Sequence, residues 1–154
     1  MNILIRIADI KDEDKIKECI KCSYEKYIER IGKKPAPMLD EYHSKIRDKF
    51  VHVVNKGNRI IGVIVLIPKK DHLYLGNLAV HPSEQGKGVG RQLMNYAENL
   101  AISSGFSLIR LFTNELMHET ISFYRKYRFL ETNRRTEDGY NRVYFIKRLN
   151  LEQG

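Results

Sequence analysis

Three glycines lie between an apolar run and a segment with helical spacing. The run Leu73–Val80 predicts a strand, residues 85–90 read QGKGVG, and apolar residues then recur at helical spacing from Leu93 onward. The first N–H groups of a helix have no partner within it, and the helix dipole favours negative charge there. Glycines let a phosphate approach the backbone, while Lys87 and Arg91 add positive charge. The segment therefore predicts a site for a phosphate-bearing ligand.

Two common nucleotide-binding patterns do not fit this turn. A Walker A loop needs Gly-Lys followed by Ser or Thr, whereas Gly90 is followed by Arg91-Gln92. The dinucleotide fingerprint needs a third glycine at the position of Arg91. A glycine-rich turn without any ligand is the plain alternative.

Composition indicates a soluble globular protein. The chain has 154 residues, of which 42% are hydrophobic and 30% charged. Because no apolar run reaches membrane-spanning length and no signal peptide is recognised, we expect a cytoplasmic protein without a membrane partner. The net charge of +8 is spread along the chain, which suits an anionic ligand and does not call for nucleic acid. Cys19 and Cys22 lack two further ligands at suitable spacing, so no metal site is predicted.

The pattern of elements predicts an α+β fold. An acidic start at residues 9–14 leads into a helix that runs to about Ile31, where Gly32 stops it. The prolines of residues 33–37 are expected to exclude helix. The remaining helices are expected at residues 40–49, 88–103 and 117–127, and strands at residues 3–8, 50–55, 59–67, 73–80, 107–113, 129–134 and 142–149. We predict one domain over residues 1–154, with a mixed, mostly antiparallel sheet and about four helices.

The glycine-rich turn resembles the Q/R-x-x-G-x-G/A signature of the GNAT family of N-acetyltransferases. Gln85, Gly88 and Gly90 occupy its fixed places, and the order of elements resembles that family over essentially the whole chain. The resemblance implies that acetyl-CoA is the cosubstrate and that its pyrophosphate binds on the turn. It also implies that backbone groups of strand four pair with the pantetheine arm and stabilise the oxyanion. The cofactor-binding residues so implied are Leu78, Ala79, Val80, Gln85, Gly86, Lys87, Gly88, Val89, Gly90, Arg91 and Asn114.

A second motif, NELMHETISFYRKYRF at residues 114–129, resembles the family's N-x(n)-A-x-x-[FL]-Y-x-K-x-G-F. By this match Asn114 would bond the pantetheine arm and Tyr124 would be the general acid. A thiol has a pKa of about 8.5 and a phenol of about 10, so a tyrosine can protonate the leaving thiolate. Packing beside Phe123 is the alternative for Tyr124. Arg128 replaces the family's usual glycine, so we expect a costlier backbone conformation or a different turn there.

The resemblance implies direct attack by an amine in a ternary complex. Family members often carry a glutamate base on strand four, where this chain has Asn77, which cannot serve as a base. Other candidates, each also interpretable as a surface residue, are Glu41, His43, His72, His118 and Glu119. The acceptor is expected near Tyr24, Tyr27, Pro35, Met38 and Tyr42, although Tyr24 and Tyr27 fit a core stripe equally well.

These observations predict an acetyl-CoA-dependent N-acetyltransferase that modifies an amine of a small molecule. One alternative is a protein N-terminal or lysine acetyltransferase. Another is a non-catalytic acetyl-CoA-binding module. The oligomeric state, including a homodimer, is left open.

Overall fold

The computed structural model describes residues 3–150, which form seven strands and six helices. The strands are β1 (Ile5–Ile7), β2 (Val51–Lys56), β3 (Arg59–Pro68), β4 (Leu73–Val80), β5 (Leu108–Asn114), β6 (Leu130–Glu137) and β7 (Tyr140–Arg148). The helices are α1 (Glu13–Tyr24), α2 (Lys26–Ile31), α3 (Ala36–Leu39), α4 (His43–Arg47), α5 (Val89–Ser103) and α6 (His118–Lys126). Along these residues, no helix combines the length and apolar character needed to cross a bilayer.

The strands form one sheet in the order β1-β2-β3-β4-β5-β7-β6. The β1–β2, β2–β3, β5–β7 and β6–β7 ladders are antiparallel. The β4–β5 ladder is parallel and comprises Leu73 opposite Ile109 and Tyr74 opposite Arg110. This arrangement confirms the predicted α+β fold with a mixed, mostly antiparallel sheet.

The chain divides into two compact units. The first contains the chain up to Ile67 together with Gly76–Ala97. Its core includes fully buried Val53 and Val63 of the sheet, Ile16 of α1, and Leu93 of α5. At Gly62 on β3, an added Cβ would lie 3.0 Å from Val89 Cγ1 and 3.1 Å from Leu93 Cδ1. The missing side chain therefore lets the first turns of α5 pack directly against β3.

The second unit contains Pro68–Leu75 and the chain from Glu98 onward. Its core is rich in aromatic rings, among them Tyr124 of α6, with Phe129 and Phe145. The β6–β7 hairpin turns at Asp138-Gly139, where φ is +55° and +80°. Two successive positive φ values match the twist of the flanking strands and give a tight two-residue turn.

Several predicted boundaries are wrong, mostly in the helical segment before β2. The long first helix is two helices, α1 and α2, that meet at Glu25, and a helix predicted at residues 40–49 is only His43–Arg47. The proline segment contains α3, with Pro37 in its first turn. Proline is tolerated there because a first-turn N–H needs no intrahelical acceptor. These differences raise the number of helices from four to six.

Candidate functional site

The turn at residues 85–91 has the backbone of an anion site. Gly86 and Gly88 adopt φ of +79° and +91°, values that side chains disfavour. The first backbone bond of α5 runs from Gln92 N–H to Gly88 O at 3.1 Å. The N–H groups of Val89, Gly90 and Arg91 therefore precede the intrahelical ladder and have no acceptor within the helix. Such N–H groups fit the phosphate oxygens of a nucleotide-like ligand.

Side chains brace this turn and surround it with positive charge. The Gln85 amide Nε2 donates to Val80 O at 3.1 Å, which ties the turn to the end of β4. An added Cβ at Gly88 would lie 3.5 Å from Arg91 Nη2, so the guanidinium of Arg91 lies over the turn. Lys87 Nζ lies 3.7 Å from buried Glu84, which also bonds Lys56. The hydrogen bond from Lys56 is the main cause that lowers the pKa of the Glu84 carboxyl.

Alternate residues of β4 direct their backbone groups to opposite edges. The His81 N–H donates to Ile61 O on β3. Because successive residues of a strand point their backbone N–H and C=O groups to opposite edges, those of Leu78 and Val80 point away from β3. Side chains reach both carbonyls: Tyr24 Oη lies 3.0 Å from Leu78 O, and Ser23 Oγ donates to Val80 O at 2.9 Å. Ala79 is buried.

Two tyrosines and an asparagine form a buried hydrogen-bonded group, the tyrosine–asparagine cluster (Tyr24, Tyr42 and Asn77). Tyr24 Oη donates to Asn77 Oδ1 at 2.5 Å, and Asn77 Nδ2 donates to Tyr42 Oη at 2.9 Å. Tyr42 Oη in turn donates to Pro37 O at 2.6 Å. The cluster thus joins α1, β4 and the segment before α4 within the first unit.

The other predicted acceptor-site residues lie in the same unit. Tyr27 is buried, with its ring centroid 6.2 Å from that of Tyr24. Lys26 and Arg30 place their charged groups over the Tyr27 ring. Pro35 is buried, and its carbonyl accepts from the N–H of half-buried Met38 at 3.0 Å.

Tyr124 and Asn114 belong to the second unit. Tyr124 is 4% exposed, and its burial raises the pKa of the phenol well above the usual range. Asn114 Oδ1 accepts the Leu116 N–H at 2.9 Å, and its carbonyl accepts the Met117 N–H at 3.0 Å. These bonds hold the start of the segment that leads into α6.

A left-handed residue ends α6 and fixes the chain around Tyr124. Arg128 has φ +69°, Phe129 N–H bonds Tyr124 O at 3.1 Å, and Arg128 N–H bonds Arg125 O at 3.0 Å. These two bonds make a Schellman motif, in which glycine is usual at the position of Arg128. The Tyr124 and Phe129 rings meet edge to face at 5.5 Å. The turn is therefore preserved, and the expected conformational cost falls on Arg128.

The predicted base candidates make local contacts. Glu41 accepts from Ser44 N–H at 3.1 Å, His43 Nδ1 lies 2.7 Å from Glu13, and His72 Nδ1 lies 2.7 Å from Asp71. His118 and Glu119 are exposed at the start of α6. Cys19 is buried, which raises the pKa of its thiol to about 12. Within residues 3–150, no group of three His, Cys, Asp or Glu side chains converges on a metal site.

Sequence reasoning missed the partners of Asn77 and the role of Ser23. Asn77 is a polar residue on the buried face of β4, between Leu75 and Ala79. A lone polar residue at a core-facing position is a usable signal, because buried polar groups need hydrogen-bond partners. Ser23 is harder to recognise from the sequence. A serine within a helix can bond a carbonyl of its own helix, as Ser23 Oγ does with Cys19 O at 2.7 Å, so it predicts no partner on another element.

The chain is similar to proteins of a known family. The sequence profile described as "Acetyltransferase (GNAT) family" matches residues 13–129. A comparison with curated protein sequences finds no match.

Several solved structures share the fold. The PaiA N-acetyltransferase of Thermoplasma acidophilum, in complex with coenzyme A, is 23% identical with a TM-score of 0.73 over 96% of this chain and 99% of that one. Ard1 of Thermoplasma volcanium is 20% identical with a TM-score of 0.75 over 97% and 99%. Arabidopsis thaliana Naa50, in complex with the bisubstrate analogue CoA-Ac-MVNAL, is 16% identical with a TM-score of 0.73 over 96% and 99%. With the profile covering well over half of its length, the chain belongs to the GNAT family of acetyltransferases.

Proposed function

We propose that this protein transfers the acetyl group of acetyl-CoA to an amine, with the whole of residues 1–154 acting as one N-acetyltransferase domain. The observation that carries the proposal is the turn at residues 85–91. There, positive-φ glycines, the first N–H groups of α5 and the guanidinium of Arg91 fit a pyrophosphate. A PaiA relative of the same fold is solved with coenzyme A, which supports this ligand.

The proposed reaction needs no covalent enzyme intermediate. The amine nitrogen attacks the thioester carbonyl carbon, the carbon–sulfur bond breaks, and the sulfur leaves as a thiolate. Tyr124 is the proposed proton donor to that sulfur and then regains a proton from water. Burial raises the pKa of this phenol, so it is protonated at working pH but is a weaker acid than a free tyrosine; the transfer therefore needs the departing sulfur to be desolvated too, which raises the pKa of the thiol. The amine loses its own proton to water, which leaves an amide and free coenzyme A.

The remaining binding roles follow the backbone geometry. Backbone N–H groups of Leu78 and Val80 on β4, which point away from β3, are the proposed partners of the pantetheine arm and of the oxyanion, together with the Asn114 side chain, whereas the alternation turns the backbone groups of Ala79 toward β3. Tyr24, Tyr27, Pro35, Met38 and Tyr42 are the proposed acceptor side. A small-molecule amine is the first candidate, because Tyr24, Tyr27 and Tyr42 are at most 6% exposed and offer little surface to a long peptide. Likeness to Naa50 favours a protein N-terminus as the second candidate.

Ligand-induced stabilisation tests the cofactor. Coenzyme A at a hundred times its Kd should stabilise the fold by about 2.7 kcal/mol, seen as a raised Tm. Gly88→Asp should abolish this rise, because it places a carboxylate beside the phosphates. Gly57→Asp is the matched control, since Gly57 also has a positive φ (+60°) and open space but lies in the β2–β3 turn. A wild-type Tm unchanged by millimolar coenzyme A refutes the cofactor assignment.

A variant that lacks the Tyr124 hydroxyl tests whether the protein is an enzyme or only binds acetyl-CoA. Tyr124→Phe keeps the ring against Phe129 and should lower kcat by about 10²–10⁴-fold, with little change in acetyl-CoA affinity. Tyr127→Phe is the control: it removes a hydroxyl three residues further along the chain, at the end of α6, and should keep the wild-type kcat. Wild-type kcat in Tyr124→Phe, with chemistry rate-limiting, removes Tyr124 as the proton donor.

A further inference from the structure

A cavity of about 720 Å³ lies within the first unit. It is bounded by α1, by the turn between β2 and β3 with the start of β3, and by residues 81–84. Its most deeply buried lining residues are Cys19 of α1 and Ile60 and Ile61 of β3. Small-molecule sites usually have volumes of about 300–1,000 Å³, so the cavity is large enough for a ligand. Of its lining residues, the proposed acetyl transfer uses only Lys87.

The lining of the cavity is more positive than negative. It contains two carboxylates and four cations, those of Lys15, Lys56, Arg59 and Lys87. One carboxylate, Glu84, is 5% exposed and neutralises part of this charge, because Lys56 Nζ lies 3.2 Å and Lys87 Nζ lies 3.7 Å from its oxygens. The other, Glu18, accepts a hydrogen bond from Cys22 Sγ at 3.4 Å on the same helix. The cavity therefore favours an anion over a cation.

Two of the cations keep uncompensated charge. Arg59 Nη1 donates to the neutral Ser83 Oγ at 3.3 Å, and within residues 3–150 no carboxylate pairs with its guanidinium. Lys15 acts electrostatically on Asp12 but forms no ion pair with any described residue. Because these cations come from β3 and from α1 and line the same cavity, they fit a ligand that carries about two negative charges.

A short hydrogen-bonded chain orders the side of the cavity that carries Arg59. Ser83 N–H donates to His81 Nδ1 at 3.2 Å, and Ser83 Oγ lies 2.8 Å from the same nitrogen. Since Nδ1 accepts the Ser83 N–H, the neutral ring carries its hydrogen on Nε2. His81 therefore keeps one N–H donor for a ligand oxygen, next to a guanidinium that Ser83 helps to position.

We propose that this cavity binds a small phosphate monoester at a site separate from the turn at residues 85–91, with Arg59 and Lys15 as its main charged contacts. A phosphate monoester carries about 1.5 to 2 negative charges near neutral pH and three acceptor oxygens. The planar guanidinium of Arg59 can bond two of those oxygens at once. A carboxylate supplies only one charge, and a polyamine meets a net positive lining.

Coenzyme A itself carries a phosphate monoester at the 3′ position of its ribose, so the experiment has to distinguish this group from a free ligand. The probe is phenyl phosphate, titrated calorimetrically into wild-type protein at low salt with coenzyme A at saturation. Because coenzyme A then occupies the turn, a single binding event for the probe is expected at the cavity. Benzoate is the matched probe with the same ring and one charge, and it should bind at least about tenfold more weakly.

Variants locate the site. Arg59→Gln should raise the Kd of phenyl phosphate by about 10- to 100-fold, because it removes charge-assisted hydrogen bonds. Lys15→Gln should raise it less, because an ammonium offers one point contact. Arg47→Gln on α4 and Lys21→Gln on α1 each remove an exposed cation that does not line the cavity, and both should keep the wild-type Kd.

The proposed site does not depend on the acetyl transfer. In Gly88→Asp without coenzyme A, the new carboxylate repels phosphate from the turn, and phenyl phosphate should still bind with a Kd sensitive to Arg59→Gln. Loss of this binding in Gly88→Asp would show that the turn is the phosphate site and would overturn the inference.

Three further results would also overturn it. If saturating coenzyme A abolishes binding of the probe and dephospho-coenzyme A, which lacks the 3′-phosphate, restores it, the cavity holds the 3′-phosphate of the cosubstrate. Equal weakening in Arg47→Gln and Arg59→Gln would indicate attraction to the overall positive charge. Equal affinity for benzoate and phenyl phosphate would exclude a site built for a phosphate monoester.

Discussion

Replacing Arg128 by glycine should stabilise the protein. Arg128 holds φ +69° at the end of α6, where Phe129 N–H and Arg128 N–H complete the Schellman motif. A left-handed conformation costs a non-glycine residue about 1–2 kcal/mol, and glycine avoids that cost. The greater freedom of glycine in the unfolded chain offsets about 0.5–1 kcal/mol of this gain. The expected net increase in the free energy of unfolding is therefore about 0.5–1 kcal/mol.

The chain offers a matched variant and a matched control. Lys49 has φ +64° at the end of α4, with Phe50 N–H on Lys45 O at 2.9 Å and Lys49 N–H on Ile46 O at 3.0 Å. Lys49→Gly should therefore give a similar gain. Ser122→Gly, at an exposed position inside α6, should instead destabilise by roughly 0.5 kcal/mol, because glycine is a poor helix former relative to serine.

Equilibrium unfolding in urea measures all three variants. Both gains should appear as a higher midpoint at an unchanged m value, which indicates a change in stability alone. Thermal midpoints should rise by about 2 °C for a chain of this length. Destabilisation by both Arg128→Gly and Lys49→Gly would refute the reasoning, because it would mean that the left-handed positions carry no cost to relieve.

Three further predictions concern other parts of the molecule. Buried His52, whose Nδ1 lies 2.7 Å from Tyr96 Oη, has its pKa lowered by burial to about 4. The unfolded state therefore binds a proton first as pH falls below about 6.5, and stability should drop by roughly 2 kcal/mol by pH 4.5. Urea unfolding should show that drop in wild type, and His52→Phe should lack it. Gly62→Ala should push Val89 and Leu93 off β3 and lower both Tm and coenzyme A affinity; unchanged affinity would contradict this link. Replacing Pro35 and Pro37 together by glycine should raise the acceptor KM and spare acetyl-CoA binding, because only the acceptor-side segment loses stiffness. Equal damage to both substrates would count against that role.

Prediction from the sequence was most accurate where local patterns are strong. The apolar run that forms β4 was predicted at its observed bounds, Leu73–Val80, because a stretch that is apolar except at Asn77 and ends at His81-Pro82 favours one strand. Gly32 ends α2 with φ +88°, as expected of a glycine after a helical pattern. The predictions were wrong at Glu25, where one predicted helix is two, and between Ala36 and Lys49, where two short helices replace an irregular proline segment and one longer helix. Helices of four to six residues carry too little periodicity to be recognised, and packing decides whether they form.

By itself the sequence determined the glycine-rich turn at residues 85–90, the family resemblance and the succession of strands along the chain, because each depends on residues close together in the chain. Only the tertiary structure decided what Asn77 does. Its partners Tyr24 and Tyr42 lie 53 and 35 residues away, so no local spacing reveals these hydrogen bonds. They exist because α1, the proline segment and β4 pack together, and a polar side chain buried there must find partners within reach. The same packing buries all three side chains and raises the pKa of the Tyr42 phenol far above its usual range.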